Sequence, residues 1–200
     1  MDATQIVDRL LTVIENDILP KTQIGVAQGN KIFGAAILRK SDLSVIIAET
    51  NNEVENPLWH GEMHAIKKLY ETINRSQLPD PKDCIFLATH EPCSLCLSAI
   101  TWAGYDNFYY LFSHEDSRDS FSIPHDIKIL QEVFHNPNEN QSLLYNRTNA
   151  FWQSYNIIEM LANIDNREVL LSRINHITTI YNQLSQIYQA NKGHDKIPLA

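Results

Sequence analysis

Along the N-terminal stretch the apolar positions Val7, Leu11, Ile14 and Ile18 recur at spacings of 4, 3 and 4. That rhythm predicts an amphipathic helix over residues 4–18, stopped by Pro20. The apolar Ile24 to Ala27 fits either a short strand or a helical turn, with Gly25 and Gly29 leaving both open. KIFGAAILRK and LSVIIAET are two apolar runs parted by the polar Lys40-Ser41-Asp42, which is the pattern of a β-hairpin. A helix is expected at about 61–73, with Glu62, Ile66, Leu69 and Ile73 on one face. CIFLAT at 84–89 and FYYLFS at 108–113 read as buried strands, with a helix at 93–103 between them.

HEDSRDS reads as a polar loop, followed by a helix from about 125 to 134 and the loop HNPNENQS. Such alternation of strands and helices implies α/β layering with parallel strand pairs in the middle of the sheet. The tail differs. Residues 151–164 and about 168–190 read as purely helical, and Leu170, Ile174, Ile177, Tyr181, Leu184 and Tyr188 keep a 4-3-4-3-4 rhythm. Residues 1–140 are therefore expected to form the chemistry-bearing domain and residues 141–200 a helical C-terminal extension. The rhythmic stripe suits a coiled-coil seam or packing on the domain's own core equally well.

Composition narrows the classes. In 200 residues, 44% belong to the hydrophobic set and 20% are charged, a globular mixture with enough apolar surface for a core. A net charge of −8 argues against bulk electrostatic attachment to nucleic acid. Three cysteines, two of them three apart, do not make a secreted disulfide framework. The N-terminal MDATQIVDRLLTVIENDILP lacks a basic start, a long apolar run and a cleavage site, so no signal peptide is expected. No run approaches the ~20 apolar residues of a membrane span. The expected compartment is the reducing cytoplasm.

Two short patterns carry the chemistry: His60-Gly61-Glu62 and Pro92-Cys93-Ser94-Leu95-Cys96. One imidazole and two thiolates suit a borderline-soft ion such as Zn²⁺. Both patterns open predicted helices, whose N-terminal N–H groups favour ionised sulfur. Three protein ligands leave a fourth corner for water, as catalytic zinc sites do, whereas structural sites close with four. Glu62 is a carboxylate on a face assigned to the core, placed to move a proton. In a chain of this composition chance supplies on the order of 10⁻⁴ such pairs of patterns, so the pairing is a specific signal. His90 and His64 are the rival fourth ligands. His60 and His64 stand i, i+4, as in zinc proteases, but the glutamate offset is wrong for that motif.

His-x-Glu followed by Pro-Cys-x-x-Cys resembles the signature of the zinc-dependent cytidine deaminase superfamily. NPLWHGEMHAI and THEPCSLCLSAI look most like the branch of guanine deaminases, fungal-type cytosine deaminases and tRNA adenosine deaminases. The resemblance spans roughly residues 24–134. It implies a three-layer α/β/α sandwich with a mixed, largely parallel sheet. It implies zinc on His60, Cys93 and Cys96, with Glu62 shuttling protons as a ring-bound amine is exchanged for a carbonyl oxygen and ammonia leaves. It also implies a base contact from Asn51 or Asn52, between which the spacing does not choose, and a homodimer as the assembly.

The chain departs from the family pattern at three places. Gly61 stands where alanine is usual, a change that reads as harmless because both are small. Trp59 precedes the metal histidine where small residues are common, so its bulk is expected to reshape the substrate pocket. His90 replaces a small or apolar residue. The segment after the second central strand lines the active site in the related branch, which makes Asp116, Asp119 or His125 substrate contacts. The expected activity is hydrolytic deamination of a free nucleobase, nucleoside or related aminated heterocycle. Deamination of adenosine in tRNA and a non-catalytic zinc-stabilised interaction module are the alternatives. The first would need a basic rim and the second a fourth protein ligand.

Overall fold

The computed structural model describes residues 2–134, 144–165, 167–193 and 197–199. The chain opens with α1 (Ala3–Val13), started by a capping box in which Asp2 and Gln5 exchange backbone bonds. The helix does not stop at Pro20. It passes through a π turn at Ile14–Ile18 into α2 (Leu19–Ala27). The wider turn leaves Pro20 in the first turn of α2, where a missing N–H costs nothing. Ile24–Ala27 is therefore helical rather than a strand.

The hairpin forms as expected from β1 (Gly34–Arg39) and β2 (Val45–Thr50), which pair antiparallel. After α3 (Gly61–Thr72), β3 (Cys84–His90) is buried along its whole length, and α4 (Ser94–Trp102) leads to β4 (Asn107–Phe112). HEDSRDS is not a loop. Residues His114–Asp119 form α5, because Ser113 and Asp116 cap it reciprocally. It is followed by α6 (His125–Glu132). The loop HNPNENQS falls outside the described residues.

The segment 151–164 is also not purely helical. Gln153–Asn156 forms β5, which pairs parallel with β4, and only Ile157–Met160 continues as the short α7. The sheet order is β2-β1-β3-β4-β5; β1 pairs antiparallel with β2 and β3, whereas β3–β4 and β4–β5 are parallel. Helices cover both faces. Ala65, Leu69, Leu97 and Ile100 from α3 and α4 pack with Phe86, Ala88, Phe108 and Tyr110 on one side. On the other, α1, α2 and α8 (Glu168–Asn191) meet Ile85, Leu87, Tyr109 and Leu111.

The C-terminal residues share this core. The α8 stripe from Leu170 to Tyr188 is buried in the same apolar cluster as Val7, Leu10 and Leu11, and β5 widens the sheet. Arg173 adds a polar clamp, reaching Asp8 and Glu15 on the N-terminal helix. Ile177 is 0% exposed. Its replacement by alanine should cost about 2–5 kcal/mol in urea unfolding through the lost methylenes and the cavity left behind. A loss below about 1 kcal/mol would mean that α8 is only loosely attached. No helix among the described residues is long and apolar enough to cross a membrane.

Candidate metal centre

The site lies where parallel strands β3 and β4 end, the usual place for a crevice in an α/β sheet. His60 is the N-cap residue of α3 and Cys93 that of α4, both in extended backbone, and neither side chain makes a capping hydrogen bond. The residue type explains this. Imidazole and thiol are poor caps compared with Ser, Thr, Asp or Asn, so both side chains point away from their helices. Cys96 follows in the first turn of α4. For α3 the capping task passes to Asn51, whose Oδ1 accepts the Gly61 N–H at 2.6 Å.

The Nδ1 atom of His60 lies 3.5 Å from Cys93 Sγ and 3.8 Å from Cys96 Sγ, and the two sulfurs are 3.6 Å apart. With bonds of about 2.3 Å to sulfur and about 2.0 Å to nitrogen, a tetrahedral zinc sets sulfur–sulfur edges near 3.8 Å and nitrogen–sulfur edges near 3.5 Å. The triangle matches that face within about 0.3 Å, so the donor set fits the ion in both chemistry and size. Among the described residues this trio is the one group of three or more metal-binding side chains.

Glu62 stands at the edge of the triangle. It is buried, and its Oε2 lies 3.3 Å from Cys96 Sγ. Burial first, and then the neighbouring Cys93 charge, push its carboxyl up to about 7. Burial works against a charge on His60, but the hydrogen bond and charge of Cys93 outweigh it and raise the imidazole to about 9. Cys93 is held well below the usual thiol range, chiefly by its hydrogen bond with Cys96, while burial drives Cys96 well above it.

Neither rival histidine joins the trio. Nδ1 of His64 is 2.9 Å from the Thr50 carbonyl, which it can meet only as a donor. His90 is buried among Phe33, Phe112, Phe121 and Tyr181, with Nδ1 2.9 Å from Thr89 Oγ1, and desolvation holds its pKa well below the ordinary range.

A cavity of about 330 Å³ opens beside His60 and Cys93. Phe33, Pro57, Leu58, Leu95, Ile123 and Ile129 give it apolar walls. Asp126 lines both this cavity and the narrow cleft that holds Glu62, Cys96 and His90. Burial and the Cys93 charge push the Asp126 carboxyl up to about 6. His125 lines the cavity. Asp126 and Glu53 also line it without having been singled out in the sequence. The one available hint was the position of Asp126 next to His125 in the first turn of a predicted helix.

Asn51, Asn52, Trp59 and Asp116 are not among the described lining of this cavity. Both ends of the Asn51 amide are engaged, Oδ1 by Gly61 and Nδ2 by Glu53 at 3.0 Å. Asn52 bonds Glu55. Both asparagines border a separate shallow groove beside α2 and β2. The Trp59 ring lies under the Lys67 ammonium, 5.5 Å from its centroid, outside the cavity lining. Asp116 is occupied in the cap of α5.

Gly61 is not interchangeable with alanine here. A Cβ at this position would sit 2.7 Å from Gly34 Cα and 3.0 Å from Gly34 C and N. The first turn of α3 rests directly on the β1 backbone, and this close approach holds His60 and Glu62 at their depth.

Comparison with known proteins agrees with this geometry. Residues 18–112 match the family described as "Cytidine and deoxycytidylate deaminase zinc-binding region". Guanine deaminase of Bacillus subtilis (strain 168) is 36% identical over 91 residues, covering 44% of this chain and 54% of that protein. The match thus spans about half the length of that curated relative. The crystal structure of B. subtilis guanine deaminase superposes with a TM-score of 0.50 at 25% identity, covering 84% of this chain and 98% of that one. Guanine deaminase from Nitrosomonas europaea shares the fold, with a TM-score of 0.52 at 16% identity, covering 84% and 81%.

Proposed function

We propose, from the match of residues 18–112 to the cytidine and deoxycytidylate deaminase zinc-binding region, that the chain is a zinc-dependent hydrolytic deaminase of a free nucleobase, nucleoside or similar aminated heterocycle. The observation that carries this reading is the triangle of His60, Cys93 and Cys96, with Glu62 at its edge, opening on the cavity. Bound there, zinc would supply a Lewis acid that makes water nucleophilic at neutral pH. As the water oxygen bonds the ring carbon and the C–N bond to the amine breaks, Glu62 takes up the water's protons and passes one to the departing amine, which leaves as ammonia, and one to the ring nitrogen, so the ring keeps a carbonyl. A carboxyl poised near 7 suits both transfers. The apolar walls hold a flat ring and exclude bulk water. Asp126 offers a carboxylate to N–H groups on the edge of the ring. Thiolate ligands need reducing surroundings, which supports the expected cytoplasmic setting.

Cavity charge narrows the substrate. Lys31 is the one Lys or Arg among the described lining residues, and its ammonium is tied to Glu53 at 2.8 Å. That leaves no Lys or Arg without an ion-pair partner in the described lining to receive a phosphate. Purified, zinc-loaded protein should release ammonia, with the matching oxo product, from at least one of guanine, cytosine, adenine or their nucleosides. The corresponding monophosphates should yield none. Silence across all the bases and nucleosides would refute the reading.

Zinc binding should depend steeply on pH. With no metal bound, His60 keeps its proton up to about 9 and Cys96 is held well above the usual thiol range, while Cys93 is held well below it. About two protons must therefore leave for each zinc bound at pH 7, and the apparent affinity should fall about 100-fold per pH unit of acidification. Calorimetry in buffers of different ionisation enthalpy counts those protons directly.

A further inference from the structure

We propose that Glu53 is a positioning residue for the metal-facing imidazole and that Lys31 holds it in that role. The proposal rests on the metal reading above. His60 turns Nδ1 toward both sulfurs, which leaves Nε2 on the far side of the ring. Glu53 Oε1 lies 3.8 Å from that Nε2. An imidazole that gives its Nδ1 lone pair to a metal carries its proton on Nε2. A carboxylate facing that proton fixes the tautomer and the ring orientation and makes the imidazole a stronger donor. Across 3.8 Å the coupling is electrostatic rather than a closed hydrogen bond.

The carboxylate is itself locked in place. Glu53 Oε1 takes the Lys31 ammonium at 2.8 Å, while Oε2 accepts the Lys31 backbone N–H at 3.2 Å and Asn51 Nδ2 at 3.0 Å. Side-chain exposure is 1% for Glu53 and 8% for Lys31. A buried ion pair gains little or nothing over apolar side chains of the same volume, so stability is a poor reason for charges at this depth. Their placement behind a metal ligand gives them a role. Lys31 holds the Glu53 carboxylate in place, facing Nε2. Asn51 ties the same carboxylate to the Gly61 N–H at the start of α3, so the ligand histidine and its support are one network.

The test compares zinc affinity, by chelator competition, in the wild type, Glu53→Gln and the double variant Lys31→Met/Glu53→Gln. The double variant removes both buried charges, so no unpaired ammonium remains to unfold it. Both variants should bind zinc roughly 10- to 100-fold more weakly than wild type, and their Co²⁺ forms should show shifted visible bands. Wild-type affinity and an unchanged Co²⁺ spectrum in a folded double variant would overturn the positioning role alone. Failure of the wild type to take up zinc would overturn the parent reading as well. A measurement on the wild type does not depend on variant folding: ¹⁵N spectra of the zinc-loaded protein should place the His60 proton on Nε2. A proton on Nδ1 would refute the arrangement.

Discussion

Glu62→Ala protein is expected to hold zinc as the wild type does and to release ammonia about 10²- to 10⁴-fold more slowly, the usual contribution of a positioned acid–base group. The two effects separate because Glu62 lies at the edge of the trio and is not a member of it. A buried carboxylate near 7 is costly to keep unless it works, and its place in the first turn of α3 gives it a stabilising helix N-terminus. Glu62→Gln preserves the shape and removes the proton function, so it should lose as much kcat as the alanine variant. Rates above about a tenth of wild type in both variants would take the proton role away from Glu62. Asp126, which lines both the narrow cleft and the cavity beside it, would then be the next residue to examine.

Restoring the residue usual in the family should damage the protein. Gly61→Ala gains at most about 1 kcal/mol of helix propensity. Against this stands a Cβ 2.7 Å from backbone at Gly34, which no side-chain rotation relieves. Overpacking of this kind typically costs 1–3 kcal/mol, so the clash wins. Relief requires α3 to lift away from β1, and His60 and Glu62 move with it. Misplacement of catalytic groups by about 1 Å can cost on the order of 10²-fold in rate. Urea unfolding and kcat should therefore fall together. A variant with unchanged stability and rate would mean that the α3–β1 contact yields freely.

What the sequence revealed about this site was its short-range part. His60, Glu62, Cys93 and Cys96 lie within two local patterns, and the strands beneath them are short apolar runs bounded by turns. Both signals are complete within a dozen residues. Elements fixed by distant partners were harder to read. Gln153–Asn156 becomes a strand because β4 offers a free edge, although its neighbourhood has a helical rhythm. The continuation of the first helix past Pro20 depends on a π turn that has no sequence signature of its own. The six α8 stripe residues recur at helical spacing and all are buried in the cluster that holds the N-terminal helices, but periodicity alone could not say against what. Glu53 and Asp126 gained their meaning from tertiary placement: one behind His60, the other brought to the cleft by α6. Gly61 misled because side-chain size says nothing about how closely a neighbouring backbone approaches.

X-ray absorption at the zinc edge of the loaded wild-type protein tests the central claim most directly. Two sulfur neighbours at about 2.3 Å with two lighter atoms at about 2.0–2.1 Å, one of them exchangeable with solvent, is the predicted first shell. A shell closed by four protein donors, or a protein that retains no stoichiometric zinc, would contradict it.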